Sequence, residues 1–451
     1  FPVSAQTNSA YPVYIVQPGD TILTIASRFG IPAADIINLN NIQNQDLISP
    51  GDSLMIPGLP GVTGTLTTVT VQLGESLDSI AETYHANPDF LIKINRITSP
   101  TEVYAGASLI IPVVDKNALN SPYLNFHSGE TLLEKSALAG ENPWSLLLSN
   151  HLTIEAALIP GSILYKQLSP DQKAINPFDP SLEDISISPL PLIQGETIEI
   201  KVSTNSPVQL QGSLAGHPLA FFSNEEGTYI ALQGIHAMAQ PGIVTFTLNG
   251  KHDDGSEFSV SQPVLLVSGN YPKDTPLTVD PATIDPAVTQ PEETFVENLV
   301  SNITPIRYWQ GMFTRPGVFD EYTSRFGVRR SYNNSDYIYF HTGLDFAGGM
   351  GLPISAPADG VVVFAGPLSV RGNATFIDHG WGVYSGFFHQ SEIKVNVGDR
   401  VTKGQVIGLV GNTGRVNNAN EYPGAGAHLH WEVWVNGVQV NPMTWLYQQF
   451  P

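Results

Sequence analysis

The N-terminal part of the chain repeats itself with a fixed offset of 55 residues. A turn-forming triplet recurs at that spacing, and so do an asparagine and a later glycine. A period of this kind restricts the segment to a row of similar small units. The repeated landmarks are Gly19-Asp20-Thr21, Gly74-Glu75-Ser76 and Gly129-Glu130-Thr131, then Asn40, Asn95 and Asn150, then Gly51, Gly106 and Gly161.

Each repeat has the pattern of strand, helix, helix and strand. In the first repeat, residues 14–16 form a short apolar strand. Residues 22–29 carry apolar side chains at helical spacing after a capping Asp or Thr, and a glycine follows. A second short helix is predicted at 33–39 and a returning strand at 53–57. Units of this size bury little surface, so each is expected to be only marginally stable alone.

These repeats resemble the LysM family. The resemblance is carried by the Val-x-x-Gly-Asp-Thr opening, the central Asn-x-Asn and the Pro-Gly-x-x-Leu-x-Ile-Pro close. It covers a first module at 12–57 and a second at 67–112. A third, at 122–168, keeps the spacing but lacks the closing proline.

The resemblance implies binding of N-acetylglucosamine-containing glycans, such as peptidoglycan or chitin, in a shallow groove. Carried over by position, the candidate glycan-binding residues are Gly19, Asp20, Thr21, Gly74, Glu75 and Ser76, with the stretch 41–50 beside them. The alternative is that these residues serve only as turn and cap residues. The third module can equally be a spacer.

The middle of the chain carries short alternating strands without visible chemistry. Between 183 and 268, apolar and polar residues alternate in runs separated by Gly and Pro, which predicts an antiparallel β-sandwich. It loosely resembles the immunoglobulin-like domain found ahead of secreted cell-wall peptidases, and we interpret it as a spacer. Residues 269–297 are rich in Pro, Asp, Thr and Glu, and are expected to form an extended linker or to lie pinned on a domain surface.

Three histidines and one aspartate in the C-terminal part have the spacing of a metal site. His341 and Asp345 are four residues apart on a stretch expected to be extended, so their side chains share a face. His428 and His430 share one face of a predicted strand for the same reason. Two imidazoles and one carboxylate are enough for a catalytic zinc site that keeps an open position. The absence of cysteine excludes thiolate ligands.

Residues 322–445 resemble the lysostaphin-type (LytM-like) zinc metallopeptidases, which cleave peptide bonds in bacterial peptidoglycan. The motifs are Arg-Phe-Gly-x-Arg at 325–329, His-x-Gly-x-Asp at 341–345, Pro-Ala-Asp-Gly at 357–360, Gly-x-Thr-Gly at 411–414 and His-x-His at 428–430. We therefore predict an all-β peptidase domain at 298–451.

The resemblance implies one zinc ion per chain, with His341, Asp345 and His430 as its ligands. It assigns His389 and His428 as catalytic histidines that do not bind the metal. Glu432 is expected on the opposite face of the strand as a structural carboxylate, and His379 as a hairpin histidine outside the metal site. The segments 330–340 and 415–427 are longer than usual and are expected to border the substrate groove.

The charge of the chain excludes some partners. Forty-one acidic residues against 20 basic ones give a net charge of −21, so nucleic acid is not expected to bind. No run of 18 apolar residues occurs, and we expect no transmembrane segment. The expected partners are peptidoglycan glycan strands and stem peptides, and the expected location is extracytoplasmic: secreted, periplasmic or wall-associated.

The sequence thus predicts a multidomain, mainly β protein. It comprises three small α+β LysM-like modules, an immunoglobulin-like β-sandwich and an all-β LytM-type peptidase domain. The predicted function is a zinc-dependent peptidoglycan endopeptidase targeted by LysM modules. The alternative is a non-catalytic peptidoglycan-binding regulator of a cell-wall amidase, which would hold no stoichiometric zinc. A chitin-directed binder would leave the histidine constellation unexplained.

Overall fold

The computed structural model describes most of the chain, which forms two compact units, Phe1–Pro180 and Ser181–Pro451. The described residues are 11–44, 48–59, 62, 64–84, 86, 88–99, 102–112, 123–125, 131–139, 143–144, 147, 163–165, 181–225, 227–319, 321–416 and 426–451.

The first two modules each have the predicted order of strand, helix, helix and strand. The first contains β1 (Val13–Ile15), α1 (Ile22–Phe29), α2 (Ala33–Leu39) and β2 (Ser53–Met55), and the second β3 (Thr65–Thr70), α3 (Leu77–Thr83), α4 (Pro88–Asn95) and β4 (Ser108–Pro112). Strand β1 pairs antiparallel with β2 and parallel with β3. Both modules therefore share one four-stranded sheet of order β2-β1-β3-β4.

The repeated residues of the modules have structural roles that explain their fixed spacing. Thr21 caps α1, accepting a hydrogen bond from the Thr24 amide, and Gly30 ends the helix in the left-handed conformation at φ +63°. Asn40 holds the module closed, since its side-chain amide exchanges two hydrogen bonds of 2.8 and 2.7 Å with the backbone of Met55. Asn95 does the same with Ile110. The repeated asparagine thus ties the helices to the last strand.

In the third module, β5 (Tyr123–Asn125) pairs antiparallel with β6 (Ile163–Tyr165), and α5 covers Leu132–Ala139. The rest of 122–168, apart from a few single residues, lies outside the described residues. Within the ranges given above, no helix is by itself both long and apolar enough to cross a bilayer; α1 and α2 reach that length and composition only together, across a 110° bend.

The second unit begins with two mainly antiparallel sheets. Their strands are β7 (Leu182–Ser188), β8 (Leu192–Ile193), β9 (Thr197–Thr204), β10 (Val208–Leu214), β11 (His217–Leu219), β12 (Phe222–Glu225), β13 (Thr228–Gly234), β14 (Gly242–His252) and β15 (Glu257–Val267). One sheet has the order β11-β10-β14-β15-β8 and the other β12-β13-β9-β7. Buried and exposed residues alternate along β15, as the sequence pattern predicts for a sheet with one buried face.

The segment 269–297 is not the extended linker that composition suggested. Lys273 and Leu277 form bridges to Arg329 and Tyr332, a 3₁₀ turn covers Pro281–Thr283, and α6 spans Pro286–Val300. Asp285 caps α6 and Pro286 occupies its first turn, where a missing amide hydrogen costs nothing. The prolines therefore start the helix instead of preventing it. The segment lies against the C-terminal sheet, in agreement with the alternative expectation that it is pinned on a domain surface.

The C-terminal part is built around one large sheet of order β16-β19-β27-β23-β22-β21-β25, with β28 paired to β27. The elements are β16 (Tyr322–Ser324), β17 (Arg329–Arg330), β18 (Tyr339–Phe340), β19 (Leu344–Ala347), β20 (Pro353–Ser355), β21 (Gly360–Leu368), β22 (Gly372–Gly380), β23 (Val383–Phe388), β24 (Glu392–Ile393), β25 (Arg400–Val401), β26 (Val406–Leu409), β27 (His428–Val435), β28 (Val438–Val440) and α7 (Pro442–Tyr447). Strand β27 is almost fully buried, so its side chains lie inside the domain.

The two-sheet domain is joined to this C-terminal part by polar and aromatic contacts. Glu196 accepts hydrogen bonds from Asn441 and Thr444, and the Trp445 indole donates to Thr197 at 3.0 Å. The rings of Phe222 and Trp381 stack with centroids 4.9 Å apart. The two-sheet domain is therefore part of one compact unit with the C-terminal sheet.

Candidate metal centre and active site

The sheet register brings distant residues to one place. Strand β19 pairs antiparallel with β27, and Asp345 lies opposite His430. Strand β23 pairs with the other edge of β27 and places Phe388 opposite the same histidine. Gly343 lies where any side chain would collide with the Trp431 carbonyl and the His430 ring, which explains the glycine of the His-x-Gly-x-Asp motif.

His341, Asp345 and His430 form a buried cluster whose ligand atoms converge. The Asp345 Oδ1 atom lies 2.7 Å from His430 Nδ1 and 3.0 Å from His341 Nε2. The two histidine nitrogens are 3.1 Å apart. Among the described residues, this is the group of three His, Cys, Asp or Glu side chains placed to hold a metal ion.

This geometry fits zinc. Zinc is bound at about 2.0–2.1 Å by histidine nitrogen and carboxylate oxygen, so the ligand atoms of a tetrahedral site lie roughly 3.3 Å apart. The three observed separations are close to that edge length, and a small outward relaxation of the side chains would admit the ion. Two nitrogens and one oxygen without sulfur are also a donor set that zinc accepts.

The second ring nitrogen of each histidine in the cluster has its own hydrogen-bond acceptor. His341 donates from Nδ1 to the carbonyl of Arg325 at 2.9 Å, and His430 has the Glu432 carboxylate 3.3 Å from Nε2. These acceptors leave His341 Nε2 and His430 Nδ1 with free lone pairs directed at the cluster.

Glu432 itself is held by the Trp434 indole and the Gln439 amide at 2.8 and 3.0 Å. The expectation that it faces away from the pair was wrong, because alternate residues of a strand share a face.

The surroundings shift the pKa values of the cluster. Burial alone would lower the pKa of the His430 imidazole, but hydrogen bonds to Asp345 and Glu432 raise it. Burial alone would raise the pKa of the Asp345 carboxyl, but His341 and His430 hold that pKa well below its usual value. Burial lowers the pKa of His341, which keeps its imidazole neutral. Burial would also raise the pKa of Glu432, but hydrogen bonding to His430 and the charge of Arg371 bring it down to about 2. Both carboxylates are therefore ionised at neutral pH.

His389 and His428 lie beside the cluster with rings 4.9 Å apart. His389 donates from Nδ1 to the Thr413 carbonyl, and His428 donates from Nδ1 to the Gly426 carbonyl, each at 2.7 Å. Both Nε2 atoms are then acceptors, and that of His428 lies 3.7 Å from Asp345 Oδ1. Burial and the neighbouring histidines lower the pKa of His389 to about 3, so this imidazole is neutral.

A cavity of about 1160 Å³ opens beside these five side chains. Its walls include Thr289, Gln290 and Glu293 of α6, so the 269–297 segment borders the site. Both segments expected to border a groove also line it, through Arg330 and Phe340 on one side and Arg415 and Ala427 on the other. Residues 417–425 lie outside the described part of the chain.

Sequence reasoning missed three residues around the histidines. Phe388 stacks on the His430 ring with centroids 5.4 Å apart, and the Arg371 guanidinium lies over the Phe388 ring. Glu292 of α6 pairs with Arg371 at 3.0 Å. The apolar run before His389 could have indicated a packed platform, but nothing near Glu292 in the sequence points to the site.

His379 is remote from the metal cluster in its contacts. Its two ring nitrogens face the Asp359 carbonyl and the Ser385 hydroxyl at 2.7 and 2.9 Å. Burial lowers its pKa to about 4, so it is a neutral core histidine.

The candidate glycan-binding residues of the modules have structural contacts of their own. The Asp20 carboxylate accepts from the Tyr14 hydroxyl at 2.6 Å and from the Gln17 amide, and it pairs with Arg28 at 2.9 Å. Glu75 accepts from the Gln72 amide at 2.7 Å. Thr21 and Ser76 cap helices, and Gly19 and Gly74 have the positive φ angles of the turns. These contacts support the alternative that the two carboxylates serve the turns and not a glycan. Thr21 is exposed to solvent.

The site is thus a buried His–Asp–His cluster that could hold a metal ion, with two further histidines and a cavity beside it. The model of peptidase family M23 matches residues 339–442, and the LysM domain model matches residues 14–57 and 69–112. The chain thus carries LysM repeats and, over residues 339–442, a C-terminal domain that matches peptidase family M23.

Several known proteins share the C-terminal domain. The chain is 38% identical over 134 residues to the DD-carboxypeptidase/endopeptidase Mpg of Neisseria meningitidis serogroup B, a match that covers 30% of this chain and 29% of that protein. It is 40% identical over 121 residues to the peptidoglycan DD-endopeptidase ShyA of Vibrio cholerae, covering 27% of this chain and 26% of that protein. The matches thus span less than a third of these relatives.

Among solved structures, a variant of the catalytic domain of the prophage-encoded M23 protein EnpA from Enterococcus faecalis is 31% identical. That match covers 29% of this chain and 96% of the other, with a TM-score of 0.24.

Proposed function

We propose that the protein is a zinc-dependent endopeptidase that hydrolyses peptide bonds in bacterial peptidoglycan and is targeted by its LysM modules. The observation that carries this proposal is the convergence of three ligand atoms within 3.1 Å of one another. Beside them lie two histidines whose Nδ1 atoms face main-chain carbonyls. Two relatives of the C-terminal domain are named for DD-endopeptidase activity, which supports the same substrate class.

In this proposal His341, Asp345 and His430 hold one zinc ion. Zinc, when bound, supplies a Lewis acid that polarises a peptide carbonyl and activates water for attack. His389 and His428 perform the proton transfers. Each has its Nδ1 hydrogen engaged by a main-chain carbonyl, so Nε2 can accept a proton from the attacking water. The protonated imidazole then returns that proton to the leaving amine. The other ring can donate to the developing negative charge only when its own Nε2 carries a proton.

The LysM modules are proposed to bind glycan strands, and the protein to act outside the cytoplasm, where such strands occur. The domain boundaries given above and the immunoglobulin-like assignment of 183–268 belong to this proposal. The two antiparallel sheets of that region support the assignment.

A non-catalytic regulator of an amidase is the less favoured function. A chain that only docks on the wall has no need of three converging ligand atoms, nor of two further histidines with free Nε2 atoms. Metal content separates the two functions, because the regulator would purify without stoichiometric zinc.

The experiment that tests the proposed function is digestion of cross-linked muropeptides followed by mass spectrometry. We expect the zinc-loaded protein to convert muropeptide dimers to monomers, and a chelator to abolish the conversion. Intact dimers after incubation with a protein that contains stoichiometric zinc would refute the proposal.

A further inference from the structure

Helix α6 buries a carboxylate against the C-terminal sheet. Glu292, Val296 and Val300 form its buried face, and the Glu292 side chain is only 4% exposed. Removing a carboxylate from water is costly unless hydrogen bonds and an opposite charge compensate it. The burial of Glu292 must therefore be compensated by the contacts that its carboxylate makes.

Glu292 holds the turn before β22. Its carboxylate accepts hydrogen bonds from the backbone amides of Val370 and Arg371 at 2.7 and 3.2 Å, and pairs with the Arg371 guanidinium at 3.0 Å. One side chain thus fixes both the backbone and the side chain of Arg371.

Arg371 reaches the candidate site by two routes. Its carbonyl accepts the backbone amide hydrogen of His389 at 3.0 Å, and His389 has a left-handed φ of +61°. Non-glycine residues hold that conformation only when their surroundings enforce it. The Arg371 guanidinium also lies 5.3 Å above the Phe388 ring, and that ring is within 12° of parallel to the His430 imidazole.

Docking of α6 does not by itself require this carboxylate. Val296 and Val300 are fully buried in a cluster with Phe376, Phe388 and Trp434. Apolar contacts of this kind are sufficient to hold a helix on a sheet. The charged contacts of Glu292 are thus available for another role.

We propose that Glu292 is a positioning residue of the active site and that it acts through Arg371. It fixes the Arg371 backbone, which holds His389 in its left-handed conformation, and it fixes the guanidinium, which holds Phe388 against His430. This inference rests on the proposed function and adds to it a helix that lies wholly outside the region matched by the M23 model, residues 339–442.

The test compares Glu292→Gln with Glu297→Gln in the full-length protein. Glu297 lies on the same helix and is exposed, so its substitution removes the same charge without touching Arg371. Three quantities are measured: kcat and KM on a cross-linked muropeptide dimer, zinc content, and hydrogen exchange of the His389 amide before zinc is added. Arg371→Met and the double variant Glu292→Gln/Arg371→Met complete a cycle.

We expect Glu292→Gln to lower kcat by about tenfold or more with KM within about twofold, since small misplacements of catalytic groups are costly. His389 amide exchange should accelerate, zinc content should stay at the wild-type level, and Arg371→Met should add little to the double variant. Glu292→Asp, which keeps the charge, should recover part of kcat and serves if the glutamine variant does not fold.

Equal kcat and equal His389 exchange in the Glu292→Gln and Glu297→Gln variants would overturn the inference, and so would a loss of thermal stability alone. If the wild type cleaves no muropeptide, the proposed function fails. The exchange measurement still decides whether Glu292 positions His389.

Discussion

His389 and His428 present their Nε2 atoms as acceptors, because each donates its Nδ1 hydrogen to a main-chain carbonyl 2.7 Å away. His389 follows the last residue of β23 and His428 begins the neighbouring strand β27, and their rings lie 4.9 Å apart. Neither donates to the cluster of His341, Asp345 and His430. The five residues therefore form two groups: three whose ligand atoms converge, and two histidines that lie beside them.

This division predicts two classes of variant. His341→Ala, Asp345→Ala and His430→Ala should each lose zinc and activity, because each removes one converging atom. His389→Ala and His428→Ala should keep zinc and lose activity by about 10²–10⁴-fold, the range for a general acid or base. Elemental analysis of the five purified variants is the measurement. Full zinc occupancy in His430→Ala would contradict the ligand assignment.

Glu432 is predicted to tune metal affinity without touching the ion. Glu432→Gln removes the charge that faces His430 Nε2 and disturbs the acceptor for Trp434 and Gln439. Zinc affinity should fall by about 10–100-fold, as measured by competition with a chromogenic chelator. Glu392→Gln, on an exposed strand, is the matched control. Equal affinities in the two variants would leave Glu432 with no role at the metal.

The sequence predicts the part of the site whose residues are only two to four positions apart in the chain. His341 and Asp345, or His428 and His430, share a face because a strand repeats every two residues. That Asp345 lies opposite His430 depends on the register of β19 against β27, set by pairing across 85 positions of sequence. No local pattern contains that information, so the resemblance to a family supplied it.

The sequence predicts the fold correctly where repeats or apolar–polar alternation mark the elements. It predicts the wrong conformation where a proline-rich composition suggests an extended chain but the structure has a helix. The first two modules carry their caps, turn glycines and closing asparagines in the sequence itself. The prolines of 286–300 predict an extended segment, whereas the structure has a helix there, because Pro286 lies in the first turn, where proline favours a helix. Glu292 was missed with it, since its partners lie 78 and 79 residues away.

His379 is predicted to make the second unit less stable in acid. Its pKa is about 4 in the folded protein, below the ordinary value of 6.5, so the unfolded chain binds more protons between these values. The stability it contributes is complete above pH 6.5 and is lost as pH falls towards 4, by about 3 kcal/mol. Urea unfolding of wild type and His379→Gln from pH 7.5 to 4 should show a smaller loss in the variant. Parallel curves would exclude this role.

The stacking of Phe222 on Trp381 is predicted to stabilise the junction of the two-sheet domain with the C-terminal sheet. Phe222→Ala should lower the free energy of unfolding of the second unit by about 2 kcal/mol. Ile243→Ala is the control, because that side chain is 55% exposed and should change stability by less than about 0.5 kcal/mol. Urea unfolding followed by tryptophan fluorescence measures both. Similar shifts in the two variants would show that the stack carries no stability.

Removal of residues 1–168 is predicted to slow digestion of intact sacculi and to leave cleavage of a short soluble peptide unchanged. Binding to glycan raises the effective concentration of neighbouring peptides without any change at the metal centre. Initial rates of the full-length and truncated proteins on both substrates are the measurement. A large gain on the soluble peptide would instead mean that the N-terminal modules restrain the enzyme.

The hydrogen bond from the Trp445 indole to Thr197 joins residues 248 positions apart, and Glu196 reaches Asn441 and Thr444 across a similar span. During synthesis, β9 leaves the ribosome long before its partners exist. Contacts of such long range form slowly and only after the intervening loop is closed. Glu196 and Thr197, at the start of β9, therefore lack these contacts until translation reaches residue 445. A nascent chain halted earlier would leave these two side chains without their C-terminal partners, and the finished protein would not.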